Sequence, residues 1–233
     1  MNKEKLLIEL EKRNIPCSAT QANQLEQFMH HILSWNEKFN LTAIKDENSF
    51  MEKMIFDSAI GLTDLDLTGK KTIDIGTGAG FPGVVLYILN PQINLTLLDS
   101  TGKKIELLKN YALDNGYNYQ TITARAEEYA GEHKEEYDYV FARAVAPLNI
   151  LLELCIPLLK VGGSFIAMKG PGLEEELNIC SNALKKLNCH IHKVIEDELP
   201  ETLEKRNLIY ISKDKPTPNK YPREYKDIKK LPL

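Results

Sequence analysis

Four glycines fall within eight positions of the run Ile73-Asp74-Ile75-Gly76-Thr77-Gly78-Ala79-Gly80-Phe81-Pro82-Gly83. Glycine is costly inside regular structure, so this crowding marks a sharp turn, or backbone that a ligand approaches closely. One acid, Asp74, precedes the glycines, and a second, Asp99, closes the apolar run Leu95-Thr96-Leu97-Leu98. Two ligand classes compete for the pattern. Gly78-x-Gly80-x-x-Gly83, with Asp99 about 20 residues on, fits the dinucleotide fingerprint. The longer Asp74-x-Gly76-x-Gly78-x-Gly80 fits the S-adenosylmethionine signature of Rossmann-like methyltransferases. Asp74 separates them, because a carboxylate at this strand end repels a pyrophosphate and suits the cationic ammonium of a methionine moiety. Asp99 can accept from ribose hydroxyls in either case. S-adenosyl-L-methionine is therefore the expected cofactor, and a NAD-dependent oxidoreductase the disfavoured rival.

Further along, Ala126-Glu127 in the stretch Thr123-Ala124-Arg125-Ala126-Glu127 follows a third strand and could offer backbone and carboxylate to an adenine base. Taken alone, Glu127 reads as a charge at a helix start. The stretch Val140-Phe141-Ala142-Arg143-Ala144-Val145-Ala146-Pro147 follows a fourth strand, where methyltransferases hold the acceptor. It lacks the Asp/Asn-Pro-Pro-aromatic run that receives exocyclic amines, and no Pro-Cys pair stands there as a carbon-attacking nucleophile. Pro16-Cys17 is far upstream, and Cys155 lies in an apolar helical stretch. An acceptor that already owns a lone pair, a ring nitrogen or a thiol, needs neither device. Arg143, the one charge in that stretch, is the catalytic candidate; its plainer reading is a structural ion pair.

The elements that must position these residues alternate in type. Residues 1–70 read as helical, with Leu6, Leu7 and Leu10, then Leu25, Phe28, Met29, Ile32, Leu33 and Phe39 at helical spacing. Thr20 is the expected cap of the second helix, and a third covers Ser49 to Ile60. From Lys71 onward, β-rich runs at 72–75, 94–98, 119–123, 137–141 and 164–168 alternate with helical stretches at 84–89, 102–115, 148–159 and 174–187. That order predicts a mostly parallel sheet flanked by helices, an α/β Rossmann-like architecture. Two last strands, at 190–196 and 207–212, have no helix between them and predict an antiparallel edge, for seven strands in all. The expected organisation is a helical extension over 1–70, a cofactor-binding core over 71–212 and a basic tail over 213–233.

Composition narrows the partners. The chain has 233 residues and four cysteines without metal-ligand spacing, so reduced thiols are expected and no metal. The amino-terminal run mixes Glu and Lys, and the apolar stretch 144–161 is broken by Pro147, Asn149, Glu153 and Pro157. Neither a secretory signal nor a membrane span is expected, and the cytoplasm is the default compartment. Net charge is −4, but residues 213–233 hold seven basic side chains against three acidic ones. That segment carries +4, and with Pro216, Pro218 and Pro222 it reads as an extended arm for a polyanion. A merely solubilising terminus is the competing reading.

Taken in order, these residues form a set. Trp35-Asn36-x-x-x-Asn40-Leu41-Thr42, Phe56-Asp57-Ser58, the glycine run through Phe81-Pro82, Leu98-Asp99-Ser100-x-x-Lys103-Lys104, Ala124-Arg125-Ala126-Glu127, Ala142-Arg143-Ala144, Lys169-Gly170 and Lys220-Tyr221-Pro222-Arg223 span nearly the whole chain. The set resembles the RsmG (GidB) family of bacterial small-subunit ribosomal RNA guanine-N7 methyltransferases. The resemblance implies S-adenosyl-L-methionine as cofactor, contacted by Gly76, Phe81, Ala126, Glu127 and Arg143, which join Asp74, Gly78, Gly80 and Asp99 expected from the motif itself. It also implies 16S ribosomal RNA or the small ribosomal subunit as partner, with Lys103 and Lys169 facing the RNA; Lys220 and Arg223 of the basic tail are expected RNA contacts as well, and a monomer is the expected state. Two positions depart from the pattern. The family commonly has His where Met54 stands, and a Gly-rich turn after Tyr-Pro-Arg where this chain has Glu224-Tyr225-Lys226. Asn36 and Asn40 lie four apart near a helix end, where capping suffices for Asn40 and aiming the cap at the cofactor mouth is the functional alternative. A methyltransferase acting on a small molecule or a protein is the leading alternative function, and a non-catalytic cofactor-binding module a further one.

Overall fold

Strict alternation in the central strands decides the layering. In β4 (Tyr137–Arg143), Phe141 points to one side of the sheet while Val140 and Ala142 point to the other. In β5 (Leu159–Lys169), Ile166 and Met168 share the first side, Phe165 and Ala167 the second. A strand stretch buried on both faces must be apolar at successive positions, and residues 140–142 and 165–168 read that way. The computed structural model describes residues 1–233.

The other strands are β1 (Lys71–Ile75), β2 (Asn94–Asp99), β3 (Gln120–Thr123), β6 (Cys189–Glu198) and β7 (Lys205–Lys213). They form one sheet in the order β3-β2-β1-β4-β5-β7-β6. Strands β1 to β5 run parallel, and β7 pairs antiparallel with both β5 and β6, so the edge is as predicted. The chain order reverses between β1 and β4. Open sheets of this kind bind ligands at that switch point, beyond the carboxyl ends of the strands.

One face carries α1 (Lys3–Lys12), α2 (Ala19–Phe39), α5 (Gly83–Leu89) and α6 (Gly102–Asn115). Leu6, Leu25 and Phe28 join Phe81, Val84, Leu108 and Phe141 in a single core, so the amino-terminal helices are fastened to the sheet itself. The cap of α2 is Ser18, not Thr20. Ser18 Oγ accepts from the Gln21 amide and the Gln21 side chain accepts from the Ser18 amide, a reciprocal box that fixes the start two residues earlier. Asn40 ends this helix in the left-handed conformation, and Asn36 Oδ1 accepts from the Thr42 amide.

The third predicted helix is composite: α3 (Glu47–Phe50), a π-helical segment (Met51–Phe56), α4 (Asp57–Ala59) and a 3₁₀ turn (Ile60–Leu62). The opposite face of the sheet carries α7 (Ala126–Glu132), α8 (Leu148–Cys155), α9 (Leu173–Asn178), α10 (Ser181–Lys186) and α11 (Tyr225–Lys230). The single helix expected over 174–187 is split at buried Cys180, whose amide turns back to Leu177 O. Helix α9 buries none of its residues.

The carboxyl-terminal tail is not an extended arm. Tyr221, Ile228 and Leu233 belong to the core beneath α8. Lys213 is fully buried, donating to Ile156 O and Leu159 O and pairing with Glu135 at 3.0 Å. Sequence charge alone could not register that these cations have partners within the fold.

Candidate active site

The turn after β1 is held by the two acids that flank it. Asp74 Oδ2 accepts from Thr77 Oγ1 at 2.6 Å and from the Gly83 amide at 2.8 Å. Asp99 Oδ2 accepts from the Gly78 amide at 2.9 Å, and its Oδ1 from the Thr101 amide at 2.8 Å. Gly83 has no room for a side chain: a Cβ would stand 2.2 Å from Leu97 Cδ2. Gly76 has φ +68°, and a Cβ there would stand 2.7 Å from Val145 Cγ2. Sterics thus require glycine at both positions.

A cavity of about 320 Å³ opens over this turn. Gly76, Asp99, Ala126, Glu127, Ala144 and Val145 are among its lining residues. Four of the residues expected to contact the cofactor therefore share one wall. Others lie elsewhere. Asp74 is fully buried just before the lining residues Ile75 and Gly76, and its Oδ1 has no hydrogen-bond partner. Burial pushes its carboxyl up to about 7, against the hydrogen bonds from Thr77 and Gly83. Gly78, Gly80 and Phe81 do not line the cavity. The Phe81 ring packs among Phe28 and Phe50, with the Arg143 guanidinium 5.5 Å from its centroid. Its aromatic character serves the core and the support of Arg143.

Arg143 itself faces a second cavity, of about 480 Å³. This one is lined by Lys53, Arg143, Lys169 and Arg206, with Asp57 as its single acid. Arg143 Nη1 lies 3.2 Å from Asp57 Oδ2 and also donates to Lys53 O. The other oxygen of Asp57 lies 3.0 Å from Arg206 Nε. Lys53, Met54 and Asp57 stand at i, i+1 and i+4, on one helical face, and all three line the cavity wall. Met54 Sδ accepts from Arg143 Nη2 at 3.5 Å, so a soft acceptor packs the arginine where the family commonly has His. Lys169 Nζ donates to Ala146 O and pairs with Glu176 at 3.1 Å.

Ala144 lines both cavities. It is held at φ +55°, a left-handed conformation that costs an alanine about 1–2 kcal/mol. Backbone strain at the end of β4 thus sits where the two spaces adjoin.

Sequence reasoning did not assign roles to Asp57, Lys53, Arg206, Asn207 or Tyr225. Asp57 stood inside a recognised motif, which was the available signal. Arg206 and Tyr225 had none, since each depends on a partner far away in the chain. Of the predicted RNA contacts, Lys103 and Lys220 are exposed. Arg223 is bound from Nε and Nη2 to the two oxygens of fully buried Glu153, at 2.8 and 2.6 Å. Cys155 is buried in the core, where loss of water pushes its thiol up, away from reactivity. No group of three or more His, Cys, Asp or Glu side chains is placed to hold a metal ion, and no helix is long and apolar enough to cross a membrane.

The YcgJ protein of Bacillus subtilis has a solved structure that overlays on this chain with a TM-score of 0.52 at 13% identity, covering 68% of this chain and 98% of that one. Strand order, glycine turn and switch-point cavities define a Rossmann-like class I methyltransferase. Within that class the chain belongs to the family described as rRNA small subunit methyltransferase G, whose sequence model matches residues 21–209. The Ribosomal RNA small subunit methyltransferase G of Halalkalibacterium halodurans is 42% identical over 228 residues, 96% of each chain. That of Lactobacillus acidophilus is 39% identical and covers both chains completely.

Proposed function

We propose that this protein transfers the methyl group of S-adenosylmethionine to N7 of a guanine in small-subunit (16S) ribosomal RNA, in the cytoplasm. The observation that carries the reading is the pair of cavities meeting at Ala144, one beside the glycine turn and one rimmed by four cations. S-adenosylmethionine, when bound, supplies an electrophilic methyl on a sulfonium.

The chain's own residues suit that group. Asp99 presents a carboxylate at the end of β2 for vicinal hydroxyls, and buried Asp74 keeps one oxygen without a partner near the turn. Glycine at 76 leaves the backbone open on the cavity wall. The second cavity suits a polyanion, since its four cations outnumber the three carboxylates that hold them: Asp57 on Arg143 and Arg206, Glu204 on Lys53 and Arg206, and Glu176 on Lys169. The guanidinium groups can orient a base through its carbonyl oxygen, or a phosphate, while leaving N7 free. N7 carries its lone pair at neutral pH, so no residue has to remove a proton. The residues around Ala144 then act by alignment and by exclusion of water.

The test is a map of methylated bases in ribosomal RNA from cells with and without this protein, repeated with purified protein, RNA or small subunits and methyl-labelled cofactor. One guanine should lose its N7 methyl in the deletion and regain it in vitro. An unchanged map would remove the reading. With the leading substrate class excluded in that way, a small-molecule or protein acceptor would be next to examine.

A further inference from the structure

The carboxyl-terminal segment reaches the cofactor cavity. Tyr225, the first residue of α11, is a lining residue of the cavity that holds Gly76, Asp99 and Glu127. It is half-buried against the core beneath α8, and the Arg125 guanidinium lies 4.7 Å from its ring centroid. Arg125 is itself tied to Glu127 through Nε, at 2.5 Å. Two residues before Tyr225, Arg223 is anchored to Glu153, which has no exposure to solvent. The Arg223 amide donates to the same carboxylate at 2.9 Å. On the far side, Ile228 is fully buried. Tyr225 is therefore held at both ends.

The sheet order says which end of the cavity this is. Its lining residues follow β4 (Ala144), β1 (Gly76), β2 (Asp99) and β3 (Ala126, Glu127) in spatial sequence. The cation-rimmed cavity adjoins at Ala144, so the reacting end of a cofactor belongs there. The base then lies at the opposite end, between Asp99 and Glu127, where Tyr225 stands beside Arg125. A planar ring at that place offers stacking surface to a purine and excludes water from it.

We infer that Tyr225 is a positioning residue for the adenine of the cofactor, delivered from the carboxyl-terminal segment by the Glu153–Arg223 anchor. The inference rests on S-adenosylmethionine being the cofactor. It gives the tail a second task besides any contact with RNA.

Binding without RNA tests it, using S-adenosylhomocysteine and, separately, adenosine as probes in calorimetry. Tyr225→Leu, which keeps apolar contact with the core, should weaken both probes about tenfold, the lower part of the range for losing one base–aromatic stack. Tyr225→Phe should stay within about twofold of the unchanged protein, since stacking needs the ring and not the hydroxyl. Hydrogen exchange on the unmutated protein supplies a readout independent of any variant: S-adenosylhomocysteine should slow amide exchange over residues 223–230. Equal binding by Tyr225→Leu, or exchange over 223–230 unchanged by a ligand that does bind, would overturn the role of Tyr225 and leave the cofactor assignment standing. Failure of the unmutated protein to bind S-adenosylhomocysteine at all would instead overturn the cofactor assignment.

Discussion

Arg143 and Asp57 meet at 3.2 Å across 86 residues of chain, joining the end of β4 to the helix that follows the π-helical segment. Since Asp57 also holds Arg206, one carboxylate fixes two guanidinium groups on the wall of the cation-rich cavity. Burial lowers the Arg143 pKa from its ordinary value, helped by the neighbouring Arg206 charge, and Asp57 and Asp74 oppose that shift. The cavity's charge is therefore set by a short network rather than by scattered surface residues.

Removing one member should separate catalysis from folding. With Arg143→Ala, Asp57 keeps Arg206, so the fold persists with a modest fall in melting temperature. Turnover on ribosomal substrate should drop by about 100-fold, the scale for losing a preorganised charge beside a reacting group. Cofactor affinity should change little. A purely structural Arg143 would show the reverse: a large loss of stability with activity per folded molecule preserved.

Gly76→Val tests the turn. The new Cβ would crowd Val145, and φ +68° adds about 1–2 kcal/mol of backbone strain. Calorimetry should detect no binding of S-adenosylmethionine, while urea unfolding stays cooperative at a lower midpoint. Retained micromolar affinity would contradict the placement of the cofactor at this wall.

Asp74 makes a signed prediction about pH. Desolvation raises its folded pKa from 3.8 to about 7, so the folded state holds a proton that the unfolded chain has released. Its contribution to stability is complete below the unfolded value and is lost as pH rises through the folded one. The unfolding free energy of the unmutated protein should therefore decline relative to Asp74→Asn between about pH 4 and 7 and run parallel above that window. A cationic ligand group beside Asp74 favours its charged form, so S-adenosylmethionine affinity should rise over the upper part of the window and lose that rise in Asp74→Asn. Denaturant titrations and calorimetry at matched pH values check both signs.

The tail needs charge substitution, not deletion. Removing residues 213–233 would take Tyr221, Ile228 and Leu233 out of the core and leave Glu153 buried without its partner. Replacing Arg223 by Ala alone should cost about 3 kcal/mol or more for that orphaned charge. Exchanging exposed Lys215, Lys220, Lys229 and Lys230 for Gln preserves those contacts. Filter binding over a salt series should then show a flatter dependence of RNA affinity on salt, by about 0.7 in slope for each lysine that had paired with a single-strand phosphate. An unchanged slope would leave the tail to its structural and cofactor-facing contacts.

The sequence by itself determined the elements whose signals are local. The glycine run favoured a turn because a side chain at Gly76 would meet both a strained positive φ and Val145, and one at Gly83 would collide with Leu97. Alternating apolar runs and helical spacing located all seven strands, including the antiparallel edge, because period and turn chemistry are written in neighbouring residues; only β5 starts well outside its expected run, at Leu159 rather than 164. The line from Gly76 through Asp99 to Glu127 was equally legible, since strand ends in a parallel sheet point to one side. Tertiary structure decided which charges are free. Lys213 and Arg223 read as part of a basic arm, yet Glu135 and Glu153 claim them from 78 and 70 residues away. Asp57 gained its two partners only when folding brought Arg143 and Arg206 to it from distant strands. Packing also gave Phe81 and Asp74 partners within the fold that spacing did not announce, Arg143 over the ring and Thr77 and Gly83 on the carboxylate. A side chain's burial and partner depend on packing among distant segments, and spacing along the chain carries no record of that.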